Sequence, residues 1–333
     1  MAKNADKLHA AKDAKKDEFY TQLEDINAEM VHYEKQFKGK TVLMNCDDPT
    51  WSNFWRYFHI EFERLGLKKI IATHYEYGEV ASYKMEYTGG NDEDFEVGVK
   101  TDLTQNGDFR SPECIELLKE ADIVVTNPPF SLFREYIALL IEYNKKFIIW
   151  GNNNAITYKE VFPLLKENKV WLGYMCNKTC IFRVSDGYDY DEKLTSKMND
   201  GYKYGKVPAI SVFTNLDIKK RHELLETPYM YAKKDKLYPE LYPKYDNYNA
   251  INVAKLNEIP MDYTDVMGVP ITFMNDYNPE QFEIIGMLID YVGKYFIQGT
   301  PTYTDAKHKN STCAVLNGKR QYAKILIKRK AGK

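Results

Sequence analysis

Residues 121–133 read ADIVVTNPPFSLF, and the fold turns on how this stretch is parsed. Ile123 to Thr126 is an apolar, β-branched run, the pattern of a buried strand. It stops at Asn127, continues through Pro128 and Pro129, which lack a backbone N–H, and reaches an aromatic at Phe130. Proline fixes its own φ and biases the preceding residue away from the helical region, so Asn127 and the Pro128 carbonyl are held in a stiff corner. After the corner, SLFREYIALLIEYN (131–144) has helical spacing and KFIIWG (146–151) reads as a second strand. Read alone, Asn-Pro-Pro-Phe is also consistent with an ordinary strand-ending turn.

Moving outward, the alternation continues. KTVLMNC (40–46) and KKIIATHY (68–75) read as strands, and PTWSNFWRYFHIEFERLGL (49–67) as an amphipathic helix closed by Gly66. SPECIELLKEA (111–121) reads as a helix with Ser111 as N-cap and Pro112 at its first position. LEDINAEMVHYEKQF (23–37) has helical spacing ended by Gly39. Residues 79–90 and 95–103 read as a hairpin or insertion turning at GGNDED. Strands alternating with helices predict an α/β fold whose mostly parallel sheet carries helices on both faces. Such sheets bind ligands beyond the carboxyl ends of their strands.

Composition sets limits. The chain has 333 residues, 44% hydrophobic and 28% charged, with a formal net charge of -2, so a polyanionic partner has to meet local basic patches. No apolar run reaches the roughly 20 residues a bilayer span needs. Five scattered cysteines form no pair of CxxC clusters; the expectation is a cytoplasmic protein without a disulfide framework or a complete zinc site. Residues 1–16 are rich in Lys and Ala and read as a basic arm, residues 17–216 as the domain holding the alternating elements, and residues 217–333 as a loop-rich region dense in Lys, Tyr and Asn. Near the C-terminus, Asn317-Gly318 joins two apolar runs as a hairpin signal.

The corner suits one chemistry. The N6 nitrogen of adenine gives its lone pair to the ring and is a poor nucleophile. Two acceptors aimed at its hydrogens, the Asn127 side-chain oxygen and the Pro128 carbonyl, favour a tetrahedral nitrogen. Phe130 then lies against the purine face, where stacking contributes roughly 1–3 kcal/mol. Upstream, Asp108 reads as a second strand-end acid; it suits the amino group of a cofactor adenine, with Phe109 on the ring, and equally suits a turn in Asn-Gly-Asp. Asp47 and Asp48 also stand where the helix from Trp51 needs an N-cap.

This arrangement resembles the S-adenosylmethionine-dependent amino-methyltransferases, whose motif is Asp/Asn/Ser-Pro-Pro-Tyr/Phe. The ordered set DEFYTQ (17–22), NCDDP (45–49), SNF (52–54), LGLKKIIAT (65–73), NGDFRS (106–111), NPPF (127–130), GVPITFMNDYNPEQFEIIG (268–286) and NGKRQYAKILIKRK (317–330) resembles more narrowly the EcoRI-type adenine-specific DNA methyltransferase family. The resemblance implies a Rossmann-like S-adenosylmethionine-dependent methyltransferase sheet with a C-terminal target-recognition region. It implies cofactor contacts from Phe19, Tyr20, Thr21, Asn45, Cys46, Asp47, Asp48, Pro49, Phe54, Asp108, Phe109 and Asn127, with catalysis at Asn127, Pro128, Pro129 and Phe130. In the wider superfamily an acidic residue near the end of the second strand binds the ribose hydroxyls; Glu76 falls a little late for that and also reads as an ordinary exposed charge, so Tyr75 is the candidate; His74 reads as structural. The glycine-rich turn usual after the first strand is replaced by CDDPTWSN. The donor is an activated sulfonium, so no metal is required.

The implied substrate is double-stranded DNA with the target adenine flipped out. Phosphate contacts are expected from Lys3, Lys7, Lys12, Lys15 and Lys16, from Lys219, Lys220 and Arg221, from Lys319 and Arg320, and from Lys328 to Lys330. The resemblance further implies action as a monomer, in or derived from a restriction-modification system with a cognate endonuclease, and makes GAATTC a candidate site. The alternative on the same motif is methylation of an RNA base or a protein glutamine amide.

Overall fold

The computed structural model describes residues 19–76, 81–184, 195–197, 202–232, 241–302, 304, 305, 307 and 310–330. The arm at residues 1–16, with Lys3, Lys7, Lys12, Lys15 and Lys16, lies outside the described residues. The chain divides into two compact units, Met1–Asn153 with Leu172–Leu216, and Asn154–Trp171 with Asp217–Lys333.

The first unit is built on a mixed sheet. Its strands are β1 (Phe19–Thr21), β2 (Thr41–Met44), β3 (Lys69–Thr73), β4 (Tyr83–Tyr87), β5 (Val99–Asp102), β6 (Ile123–Thr126), β7 (Lys146–Asn152), β8 (Trp171–Leu172), β9 (Lys178–Val184), β10 (Thr195–Lys197) and β11 (Lys203–Thr214). The order is β1-β9-β11-β7-β6-β2-β3-β4-β5, with β8 and β10 paired to β11. Parallel pairing is confined to β7-β6-β2-β3. The flanks are antiparallel: β4 and β5 on one side, β11, β9 and β1 on the other. The sheet is therefore mixed, where the strand–helix alternation predicts a mostly parallel one. That alternation ends at β7, and the chain then returns by hairpin-like pairings, which need no helical crossover.

Burial explains the parallel centre. Every residue of β2 and β6 is buried, as continuous apolar strands covered on both faces should be. The helices are α1 (Leu23–Met30), α2 (Glu34–Phe37), α3 (Asn53–Ile60), α4 (Phe62–Leu65), α5 (Pro112–Glu120), α6 (Phe133–Glu142) and, in the second unit, α7 (Phe162–Lys166). The single helix predicted over 23–37 is broken at Val31–Tyr33. Buried Glu29 accepts from Tyr33 Oη (2.7 Å) and from the backbone N–H groups of Tyr174 (2.9 Å) and Met175 (2.6 Å), so tertiary bonds fix the chain where the helix would otherwise continue. The cap of α3 is Ser52, which accepts from Phe54 and Trp55, rather than Asp47 or Asp48. Ser111 caps α5, with Pro112 at the first position.

The second unit holds a five-stranded sheet ordered β12 (Ile251–Asn252), β13 (Met267–Pro270), β18 (Lys324–Arg329), β14 (Phe282–Leu288) and β15 (Phe296–Ile297). Ile325, Leu326 and Ile327 of the central strand are fully buried, beside Met267, Val269, Phe282 and Leu288. Asn317 and Gly318, with φ of 50° and 71°, make the turn between β16 (Val315–Leu316) and β17 (Lys319–Arg320). The second apolar run does not pair with the first. It leaves the hairpin and enters the centre of the sheet as β18, because its three consecutive apolar residues need two covered faces.

Candidate functional site

The four parallel strands place β2 in the middle. The chain moves from β2 to β3 on one side, then returns to lay β6 on the other. The crevice of an open α/β sheet lies where this reversal occurs, here between the carboxyl ends of β2 and β6. Val42 pairs with Ile123 and Leu43 with Val124. Continued upward, this register sets Asn45–Asp48 beside Thr126–Phe130.

Asn127 and Pro128 are buried at the end of β6, and Pro129 and Phe130 are half-buried. The Pro129 carbonyl accepts from Leu132 N (2.9 Å), closing a turn of 3₁₀ helix at Phe130–Leu132 that leads into α6. Phe130 meets Phe182 of β9 edge-on, with centroids 6.5 Å apart. Strands β9 and β11 run past the level of Asn152, the last residue of β7: Ile210 pairs with Asn152, and residues 204–207 pair with 180–183 beyond it. They form a wall above the sheet edge, with β1 on its outer side. A bulge at Pro208 and Ala209, the latter at φ 59°, turns the wall where it leaves β7.

Thr126 and Asp47 lock the two strand ends together. Thr126 Oγ1 donates to Asp47 Oδ2, and Ser52 Oγ donates to Asp47 Oδ1 (3.0 Å), so the residue before the corner, the end of β2 and the cap of α3 share one carboxylate. Tyr136 of α6 reaches back to donate to Asn45 Oδ1 and packs edge-on against Phe109 (5.0 Å). Burial pushes the Cys46 thiol and the Tyr136 phenol well above their ordinary values, so both stay protonated and neutral.

A second cluster ends β3. His74 Nδ1 lies 3.0 Å from Asp48 Oδ2, and Nε2 lies 3.1 Å from Glu76 Oε2. Asp48 Oδ1 also accepts from Thr50 N (2.9 Å), Thr50 Oγ1 (2.7 Å) and Tyr83 Oη (2.9 Å). Burial alone would raise the Asp48 carboxyl, but these bonds, with His74 first, outweigh it and hold it at about 2. The hydrogen bond to Asp48 raises the His74 pKa; burial opposes the rise and Glu76 adds to it. Gly107, at φ 79°, sits against this cluster: a Cβ there would lie 1.9 Å from the His74 carbonyl oxygen.

The remaining predicted residues are placed as follows. Asp108 is not at a strand end; β5 finishes at Asp102, and Asp108 stands in the turn before α5, because β5 is an antiparallel edge rather than the strand feeding that helix. Its carboxylate is gripped by Arg110 through Nε (2.9 Å), Nη2 (2.7 Å) and the backbone N–H (2.8 Å). Phe54 is buried against Trp150. Phe19, Tyr20 and Thr21 form β1, and Tyr75 is half-buried beside His74. Pro49 follows Asp48 in the turn before α3. Two buried polar atoms near the strand ends, Thr21 Oγ1 and Asn45 Nδ2, have no hydrogen-bond partner among the described residues. A ligand carrying polar groups would satisfy both, the fit expected of a cofactor crevice.

Thr126, Tyr136 and Phe182 were not read from the sequence as site residues. The first two flank the motif closely, Thr126 immediately before it and Tyr136 on the following helix; Phe182 has no local signal. Among the basic clusters, Lys219, Lys220 and Arg221 lie on a 3₁₀ turn, with Lys219 exposed and the Arg221 guanidinium 3.7 Å over the Trp171 ring. Lys319 is exposed, whereas Arg320 binds Asp290 through Nη2 (2.6 Å) and Nε (3.1 Å). Arg329 donates to Thr227 Oγ1 (2.5 Å) and Lys330 to the Pro279 carbonyl (2.7 Å).

Comparison with known proteins fits this geometry. The family described as adenine-specific methyltransferase EcoRI matches residues 7–330. The chain is 44% identical to the type II methyltransferase M.EcoRI of Escherichia coli, over 99% of each chain. It is 41% identical to the type II methyltransferase M.MpnI of Mycoplasma pneumoniae, over 97% of this chain and 98% of that one. It is 40% identical to M.MgeORF184P of Mycoplasma genitalium over the same shares. No solved structure matches.

Proposed function

The chain belongs to the EcoRI adenine-specific methyltransferase family, and from that premise we propose that the corner at Asn127–Phe130 receives the N6 amino group of an adenine flipped out of duplex DNA. The observation that carries this reading is the placement of the corner beside the Asn45–Asp48 strand end at the reversal of the sheet. The reading takes the four parallel strands as the centre of a Rossmann-like fold with helices on both faces, and S-adenosylmethionine as the methyl donor.

When bound, S-adenosylmethionine supplies a methyl group on a sulfonium, already activated for attack. The protein's part is placement. Thr21 Oγ1 and Asn45 Nδ2 offer hydrogen bonds to the methionine end, with Phe19, Tyr20, Cys46, Asp47, Asp48 and Pro49 around it. Phe109 and Asp108 would hold the cofactor adenine, Phe109 against its ring and Asp108 as acceptor for its amino group. Asn127 Oδ1 and the Pro128 carbonyl accept the two N6 hydrogens of the target base, and Phe130 supports its ring. The Thr126–Asp47 and Tyr136–Asn45 bonds tie the end of β2 to the corner and to α6, a fixed frame that would hold a bound donor and the target amine in the alignment that transfer requires. The amine proton leaves to water after transfer.

Lys219, Lys220, Arg221 and Lys319 contribute phosphate contacts, which offset the cost of base flipping, a few kcal/mol. Arg320 serves mainly as the partner of Asp290. The enzyme acts on DNA in the cytoplasm, as a monomer, as the modification half of a type II system with a separate endonuclease.

The test is transfer of labelled methyl from S-adenosylmethionine to duplex DNA, RNA and protein, followed by nucleoside analysis. N6-methyladenine in duplex DNA is the expected product. Label confined to RNA or to glutamine side chains would transfer the proposal to that substrate and end the DNA reading.

A further inference from the structure

The position of His74 has a chemical consequence. Both of its ring nitrogens face carboxylate oxygens, Asp48 at 3.0 Å and Glu76 at 3.1 Å. A neutral imidazole has one N–H and one lone pair, so it can donate to only one of them; the other contact would set a lone pair against an anion. Only the imidazolium satisfies both. Asp48 is the fixed end, anchored by Thr50 and Tyr83, with its side chain 14% exposed. Glu76 is the free end, 44% exposed, with its backbone N–H bound to the Asn106 carbonyl (2.8 Å). The loop that holds Asn106, Gly107 and Asp108 is packed against the His74 carbonyl, and Ser82 Oγ donates to the same carbonyl (2.7 Å). Among the described residues, the titratable groups against the ring are Asp48 from the β2 end, Glu76 from its own segment and Tyr83 from β4, stacked at 5.2 Å; Lys100 of β5 lies over the Tyr83 ring.

We propose that His74 is a positioning residue whose charged ring holds Glu76 at the end of β3 to accept the ribose hydroxyls of the methyl-donor cofactor, so that cofactor affinity falls when the ring loses its charge. The proposal rests on the reading of this crevice as the S-adenosylmethionine site. The ribose contact itself is what the family resemblance implies for an acid near the end of this strand; the new element is the histidine that holds Glu76 there. The sign follows from the geometry. Below its transition the ring bridges both acids. Above it the remaining N–H stays with Asp48, Glu76 faces a lone pair, and the carboxylate swings toward solvent. Asp48 and Glu76 both favour the charged ring, so the transition lies above the usual histidine value.

The experiment uses the full chain. Ring ¹⁵N shifts of His74 in the cofactor-free protein are followed from about pH 5.5 to 9.5, and calorimetric Kd values for S-adenosylmethionine are measured over the same range. At neutral pH both ring nitrogens should be protonated, and Kd should weaken about 10-fold across the ring's transition. His74→Phe should give the weaker Kd at all pH values and remove the dependence. Adding His74→Phe to Glu76→Gln should cost little more than Glu76→Gln alone, because the two act through one contact. A flat wild-type Kd across the measured transition, or a His74→Phe protein that keeps the wild-type profile, overturns the proposal. If His74→Phe does not fold, the wild-type profile decides alone. A flat profile with N6-methyladenine still formed in DNA sinks only the role of His74; failure to bind S-adenosylmethionine at any pH sinks the reading of the crevice as well.

Discussion

Asp48 in the first unit and Asp290 in the second each gather hydrogen bonds from several chain segments, but with partners of different chemistry. Asp48 accepts from Thr50, Tyr83 and His74. Asp290 accepts from Thr312 N (2.8 Å) and Oγ1 (3.1 Å), from Cys313 N (2.6 Å) and from Arg320. In both, burial works to raise the carboxyl, and the hydrogen bonds outweigh it, so both carboxyls ionise below the usual range. The difference lies in the cation. An arginine keeps its charge at any pH the protein meets, while a histidine, even with a raised pKa, can give its charge up as pH rises. Asp290 therefore makes a permanent clamp that ties residues 311–313 to the β16–β17 hairpin. Asp48 makes a clamp that can release, and what it holds through His74 is a half-exposed acid at a sheet edge. Permanence suits a scaffold, and a partner that titrates suits a place where a ligand arrives.

The largest effect expected is at the corner. Asn127→Ala should lower methyl transfer about 1000-fold, about 4 kcal/mol of barrier, with unfolding temperature near wild type and cofactor binding still detectable. Near-normal turnover would remove the catalytic assignment; a large loss of stability would make the corner a scaffold like the Asp290 clamp. Next is Gly107→Ala, which puts a methyl group onto the His74 carbonyl at a left-handed φ. It should destabilise by about 3 kcal/mol in urea unfolding and weaken the cofactor too. If it weakened neither, the Asp48–His74 cluster would be looser than its geometry. Asp290→Ala should cost about 2–3 kcal/mol, since it leaves Arg320 and two N–H groups without their acceptor, yet leave cofactor Kd unchanged. A matching loss of cofactor binding would erase the contrast between the two clamps.

The smallest effect is the pH dependence of stability. The depressed Asp48 and Asp290 carboxyls contribute fully above the unfolded value of about 3.9, and the contribution fades as pH falls through their folded values, about 2 for Asp48. His74 has the opposite sign. Its raised pKa adds stability in full below the unfolded value of about 6.5, and the gain is lost as pH rises through the folded value. Thermal unfolding at stepped pH should show the alkaline decline in wild type and Asp290→Ala, and a smaller one in His74→Phe. An equal decline in all three would detach it from His74.

Parts of this design are legible in the order of amino acids alone. Asn127–Phe130 is one, because two successive prolines are a local constraint with a single outcome, a stiff turn after an apolar strand. Ser111 with Pro112 is legible as a helix start for the same kind of reason. Three features resisted reading. Asp108 looks like a strand end because a helix and the Pro-Pro strand follow it, but the strand before it is an antiparallel edge. The helix expected over 23–37 breaks where Glu29 is claimed by Tyr33, Tyr174 and Met175. The wall of β1, β9 and β11 mixes charged and apolar residues, and only its pairing with β7 makes it part of the sheet.

The sequence by itself determined the local pieces: the buried strands, the helix starts, the proline corner and, through an ordered set of short motifs, the family. The tertiary structure alone decided which pieces meet. Asp47 and Thr126 stand 79 residues apart, Asn45 and Tyr136 91 residues apart, yet each pair shares a hydrogen bond at the sheet edge. Local preferences act over a few residues through φ, side-chain shape and capping. Contacts across such separations depend on strand order and register, which are set by burying the whole sheet at once.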